Sequence, residues 1–119
     1  MGRSGLALAC VVGALTAISA DPGSAQSAPP WCNTSGRLNP AERTICHTPA
    51  LWSLDDTLNL SYAFARDRLS GAQRRQLEAS QTDWLRATRD ACETDVRCLA
   101  REIRNRSNTL DDINNRGRL

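Results

Sequence analysis

Residues 48–69, TPALWSLDDTLNLSYAFARDRL, decide how this chain folds. Leu51, Leu54, Leu58, Tyr62, Ala65 and Leu69 recur there at spacings of three and four. That is one apolar stripe along a helix of about 20 residues. Thr48 stands at the N-cap position and Pro49 at N1, where the missing N–H costs nothing. A helix with one apolar face needs a partner to cover it, so the neighbouring segments must supply one.

On the N-terminal side, Asn39-Pro40-Ala41-Glu42 has the layout of a capping box with Pro at N1. It predicts a short helix from about Pro40 to Cys46, preceded by an extended lead-in over residues 26–31. On the C-terminal side, Ser70-Gly71 breaks the stripe, and Ser70 with Gln73 forms a second capping box. The next stripe is Leu77, Gln81, Trp84, Leu85, Thr88 and Cys92, and the short connection predicts antiparallel packing on the previous helix. Glu93-Thr94-Asp95 interrupts again. Asp95 is the expected cap of a last helix with the stripe Val96, Leu99, Ile103, Leu110 and Ile113. Arg106 falls on that stripe and is expected to snorkel or to mark a fraying end. Residues 114–119 read as a flexible tail. No segment shows the alternation of a strand. The expected fold is all-α: a small bundle of one short and three longer helices over residues 32–113.

The chain has 119 residues, enough for one small domain. All 15 basic residues are Arg, set against 13 acidic ones, for a net charge of +2. That balance argues against a nucleic-acid binder, which carries a clearly basic face. Residues 1–25 read as a secretory signal peptide: Arg3 as the only early charge, an apolar run from Leu6 to Ile18, then small residues. Cleavage after Ala25 or after Ala28 fits equally. The apolar run is too short to span a bilayer, so export to the periplasm or outside the cell, without stable membrane insertion, is expected. Cys10 leaves with the signal, and four cysteines remain: Cys32, Cys46, Cys92 and Cys98. An even number in a short exported chain reads as two disulfides. A zinc site would want closely paired thiolates, and the spacings here do not offer them. Of the three connectivities, the sequential one (Cys32 with Cys46, Cys92 with Cys98) is expected, because crossed pairs would force distant helix ends together.

The ordered set Glu42-x-x-Ile45-Cys46, Pro49-x-Leu51-x-x-Leu54-Asp55, Tyr62, Gln81-x-x-Trp84-Leu85-x-x-Arg89-Asp90-x-Cys92 and Cys98-Leu99 resembles the bacterial lysozyme-inhibitor LprI-type N-terminal domain family. The resemblance covers about residues 32–110. It implies a small exported helical domain with paired cysteines, and inhibition of lysozyme as the activity. Trp52 stands where a small residue is more usual, and Ile103 where a Tyr often sits.

No enzyme constellation is present: no G-x-S-x-G, no H-E-x-x-H, no Gly-rich phosphate loop, and a single His, His47, read as a turn residue. No cofactor is implied. Asp55, Arg89 and Asp90 are the notable charges. An early residue of one antiparallel helix lies near a late residue of the next, so Asp55 is expected to meet Arg89 and fix the helix register. Trp84 is expected in the core, with its N–H on Gln81 or a backbone carbonyl. Trp52, one step off its stripe, is a candidate exposed anchor for a protein partner. Arg97, Arg101 and Arg104 share a face of the last helix and form a second, weaker candidate contact for an anionic partner. The expected function is an exported binding protein that occludes the cleft of lysozyme or a related muramidase. The alternative is an envelope interaction domain without lysozyme activity.

Overall fold

The computed structural model describes residues 26–34 and 36–119. The expected signal peptide, with Cys10, lies outside the described residues. Four α-helices follow a single 3₁₀ turn at Pro30–Asn33: α1 (Pro40–His47), α2 (Pro49–Arg68), α3 (Gly71–Trp84) and α4 (Val96–Arg116). Between α3 and α4 the chain makes a π turn at Leu85–Arg89 and a 3₁₀ turn at Asp90–Cys92. No strand occurs among the described residues. The protein is an all-α bundle stapled by two disulfides, Cys32–Cys46 and Cys92–Cys98, the sequential pairing.

The helix starts follow local chemistry. At α1 the side-chain Oδ1 of Asn39 accepts from the Glu42 N–H at 2.8 Å and Glu42 Oε1 accepts from the Asn39 N–H at 3.1 Å, a complete capping box. At α4, Asp95 Oδ1 accepts from the Cys98 N–H at 3.0 Å. The box expected at Ser70 and Gln73 does not form, and Ser70 makes no side-chain cap. Gly71 turns the chain with φ +54°, a conformation that favours glycine, and Gln73 Oε1 instead accepts from the Leu119 N–H at 3.1 Å. Arg74 closes the end of α2, its Nε donating to the carbonyls of Arg66 and Leu69 at 3.0 and 2.9 Å.

α2 packs chiefly on α4. Ala41 and Ile45 of α1, Leu51, Leu58 and Ala65 of α2, Leu69, Leu77 of α3, Cys92, and Leu99, Ile103, Leu110 and Ile113 of α4 form one buried core. Val96, expected on the α4 stripe, is exposed at the first position of the helix, and the buried stripe begins at Leu99. The α2–α4 seam also buries polar groups. Ser61 is small enough to let the two backbones approach; its Oγ donates to Asp111 Oδ1 at 2.8 Å, and its carbonyl accepts from Asn114 Nδ2 at 3.1 Å.

The first half of the expected tail, residues 114–116, is helix. α4 runs on to Arg116 and stops at Gly117, whose φ of +68° makes the left-handed cap and whose N–H donates to the Ile113 carbonyl at 2.8 Å. Arg106 does not mark a frayed end. It is half-buried and ties α4 to α3, Nε donating to Gln81 Oε1 at 2.8 Å and Nη2 to Ser80 Oγ at 2.9 Å.

Candidate functional site

The Cys32–Cys46 disulfide fastens the 3₁₀ turn Pro30–Asn33, which takes in the end of the lead-in expected to be extended, to the end of α1 and so fixes Trp31. The Trp31 indole reaches α2, where Nε1–H donates to Asp55 Oδ2 at 2.9 Å. One turn further along α2, Asn59 Nδ2 donates to the same oxygen at 3.0 Å. Asp55 is only 2% exposed, although it sits on a helix face that a purely apolar stripe would have filled.

A cleft of about 360 Å³ opens beside these groups. α2 supplies Asp55, Leu58, Asn59 and Tyr62; α1 supplies Glu42; α3 supplies Gln81; the π turn supplies Leu85 and Arg89; Trp31 and Thr34 close the remaining side. The π turn matters to this geometry. One extra residue in a helix rotates everything beyond it by roughly 100°, and such turns are common at functional sites.

Burial pushes the Asp55 carboxyl above its ordinary value, and the neighbouring Asp56 pushes the same way. The Trp31 donor, the field of Arg89 and the Asn59 donor pull it back. Burial, with Glu78 nearby, also raises the Tyr62 phenol, which keeps it a hydroxyl donor at neutral pH.

The expected Asp55–Arg89 ion pair is not formed. Arg89 pairs with its own neighbour, Nη2 to Asp90 Oδ1 at 2.8 Å and Nε to the same oxygen at 2.9 Å. Its guanidinium lies over the Trp31 ring, 5.9 Å from the centroid. The indole has taken the place on Asp55 that Arg89 was expected to occupy, and it links the two charges from between them. The expected antiparallel packing of the third helix on α2 is slight, because α2 packs chiefly on α4; early α2 and the π turn instead face each other across the cleft, with the Trp31 ring between Asp55 and Arg89.

The other expected residues fall in several places. Trp84 is half-buried against the core, and Gln81 gives its oxygen to Arg106 rather than to the Trp84 indole. Trp52 is half-buried, with its N–H donating to the Ile45 carbonyl at 3.0 Å, so it lies in the α1–α2 seam rather than at a free surface. Arg97, Arg101 and Arg104 are exposed on α4, and Arg101 leans on the adjacent Glu102 at 3.0 Å. Of these only Gln81 lines the cleft; Trp52, Trp84, Arg97, Arg101 and Arg104 do not. Sequence reading missed Trp31, Asn59 and Tyr62 as site residues. Only the adjacency of Trp31 to Cys32 hinted that the indole would be held. It also passed over Leu60 and Phe64, one turn apart on α2 and 58% and 56% exposed.

Among the described residues no group of His, Cys, Asp or Glu has the arrangement of a metal site, and no helix is long and apolar enough to cross a membrane. Compared with known proteins, the chain matches no family model, no curated protein and no solved structure.

Proposed function

We propose that the protein is an exported binding module that inhibits lysozyme or a related muramidase by occluding its substrate cleft. One observation supports the reading. Glu42, Asp55, Tyr62, Gln81, Leu85 and Arg89, six positions of the motif set that resembles the lysozyme-inhibitor domain, line a single cleft although they come from four segments of the chain. A helical frame needs its apolar stripe and its cysteines. It does not need its polar motif residues to converge, whereas a binding site does. The disulfides and the signal-like N-terminal sequence support export, since the pairs survive only in an oxidising compartment.

The test is clearing of a bacterial cell-wall suspension by several lysozyme types, with and without the disulfide-bonded protein. Dose-dependent inhibition that weakens in Tyr62→Ala, with the fold checked by circular dichroism, is expected. No inhibition by folded protein at large molar excess over every lysozyme type would overturn the reading. It would favour the alternative of an envelope interaction domain, which recovery of one exported partner from a periplasmic extract would then support.

A further inference from the structure

We propose that the cleft is a receptor for one cationic side chain, the guanidinium or ammonium of an arginine or lysine presented by the partner protein. This rests on the binding-module reading above and names what the module grips.

The case begins with Asp55. It is a carboxylate buried to 98% of its surface, on the wall of the cleft, with no cation in contact. Both donors that reach it, Trp31 Nε1 and Asn59 Nδ2, are neutral and converge on Oδ2. Among the described residues no donor reaches Oδ1, and Asp55 lines the cleft. A buried carboxylate without a charged partner is costly, and the missing contact is one that a cation arriving through the cleft would make.

The one guanidinium in the cleft cannot serve. Arg89 is committed to Asp90 and to the face of Trp31. Among the described residues Arg89 is ion-paired with Asp90, and Asp55 and Glu42 have no ion pair of their own, so the only cation whose field acts on Asp55 is Arg89, from across the cleft. Glu42 offers Oε2 as well, since Oε1 alone is used by the capping box. The walls suit the rest of such a ligand. Leu58, Leu85 and the rings of Trp31 and Tyr62 make an apolar sleeve for a hydrocarbon stem, and aromatic faces attract cations. A volume of about 360 Å³ is at the small end for ligand pockets, the size for one long side chain rather than a folded metabolite. Burial has already raised the Asp55 carboxyl, and an incoming cation would reverse that shift.

The proposal also resolves a difficulty of charge. Without residues 1–25 the chain keeps 14 Arg and 12 acidic residues and is still +2, so it gains no long-range steering toward a basic partner. A locally acidic cleft on a weakly basic protein recognises a basic partner by fit at short range.

The experiment titrates the full disulfide-bonded protein with Nα-acetyl-arginine methylamide, its uncharged counterpart Nα-acetyl-citrulline methylamide, and Nα-acetyl-aspartate methylamide. It follows the Trp31 indole N–H and the Asn59 and Gln81 amides by NMR. Saturable shifts with the arginine derivative are expected, with binding of citrulline weaker by about tenfold or more, the factor a charge-assisted bond commands. Asp55→Asn, which can still accept from Trp31 and Asn59, should weaken arginine binding by a similar factor while the indole signal stays in place. Equal binding of citrulline, preferred binding of the aspartate derivative, or no saturable shift in the parent protein overturns the proposal. The lysozyme assay run on the same variant separates the two readings. Arginine binding without any inhibition removes lysozyme as the partner and leaves the cleft, whereas inhibition unchanged in Asp55→Asn removes the cleft and leaves the inhibitor.

Discussion

Replacing Trp31 by Phe tests the structural premise of the site, because it keeps a ring over Asp55 and removes only the indole N–H and the outer ring. In the native protein that N–H donates to Asp55 Oδ2 at 2.9 Å, and among the described residues Asn59 is the only other donor to it. A hydrogen bond to a charged group contributes about 1.5–3 kcal/mol. The weaker attraction of a phenyl ring for the Arg89 guanidinium, now 5.9 Å from the indole centroid, adds a few tenths of a kcal/mol. The expected loss is therefore about 2–3 kcal/mol. In a domain of this size that lowers the melting midpoint by roughly 10–20 °C. The decisive measurement is a double-mutant cycle with Asp55→Asn, read by urea unfolding followed by far-UV circular dichroism. Once the acceptor is a neutral amide, the same Trp31→Phe change should cost only about 0.5–1.5 kcal/mol. A cost equal in both backgrounds, within about 0.5 kcal/mol, means the indole and the carboxylate act independently, and the reasoning fails.

The two disulfides should differ in what they contribute. Cys32–Cys46, at separation 14, closes a loop of 14 + 1 = 15 residues, and its replacement by a Ser pair should cost about 3 kcal/mol. Cys92–Cys98, at separation 6, closes 6 + 1 = 7 residues and should cost about 2.4 kcal/mol, so denaturant midpoints in the reverse order would contradict loop length as the source of the difference. Asp55 should also leave a mark on the pH profile of stability. Burial raises its folded pKa, with Asp56 adding to the rise, despite the Trp31 donor, the facing Arg89 and the Asn59 donor, so the folded state holds that proton more tightly than the unfolded chain. The native protein should then lose stability, relative to Asp55→Asn, as pH rises from about 4 through the raised value. Thermal midpoints of the two proteins that converge rather than separate over that rise would refute it.

The parts of the fold that were legible are those governed by neighbours in sequence. The Asn39 and Asp95 caps, the N1 prolines of α1 and α2 and the stripe Leu51, Leu58, Ala65 act within one or two turns, and all stand where the pattern placed them. The end of α4 was set too early because the apolar stripe stops at Ile113. The stop signal was Gly117, and the intervening turn is held by Asn114 bonding across to Ser61, a contact no local pattern encodes.

The cleft was illegible for a related reason. Asp55, Ser61 and Gln81 are polar residues on buried faces, and a periodicity count can only score them as defects in the stripe. Each is tolerated because a partner from a distant segment satisfies it: Trp31 for Asp55, Asp111 for Ser61, Arg106 for Gln81. The π turn that faces Leu85 and Arg89 into the cleft has no side-chain signature, and the Trp31 contact exists only because Cys32 is tied to Cys46. Ser61, whose Oγ donates to Asp111, serves packing by letting α2 approach α4, and Gln81 both holds α3 to α4 through Arg106 and lines the cleft. Asp55 differs from them as a buried acid on the cleft wall whose two neutral donors both use Oδ2, with no donor on Oδ1 among the described residues. A buried charge left half satisfied lowers stability wherever packing alone is at stake. Its position here is therefore better explained by something the bundle itself does not contain.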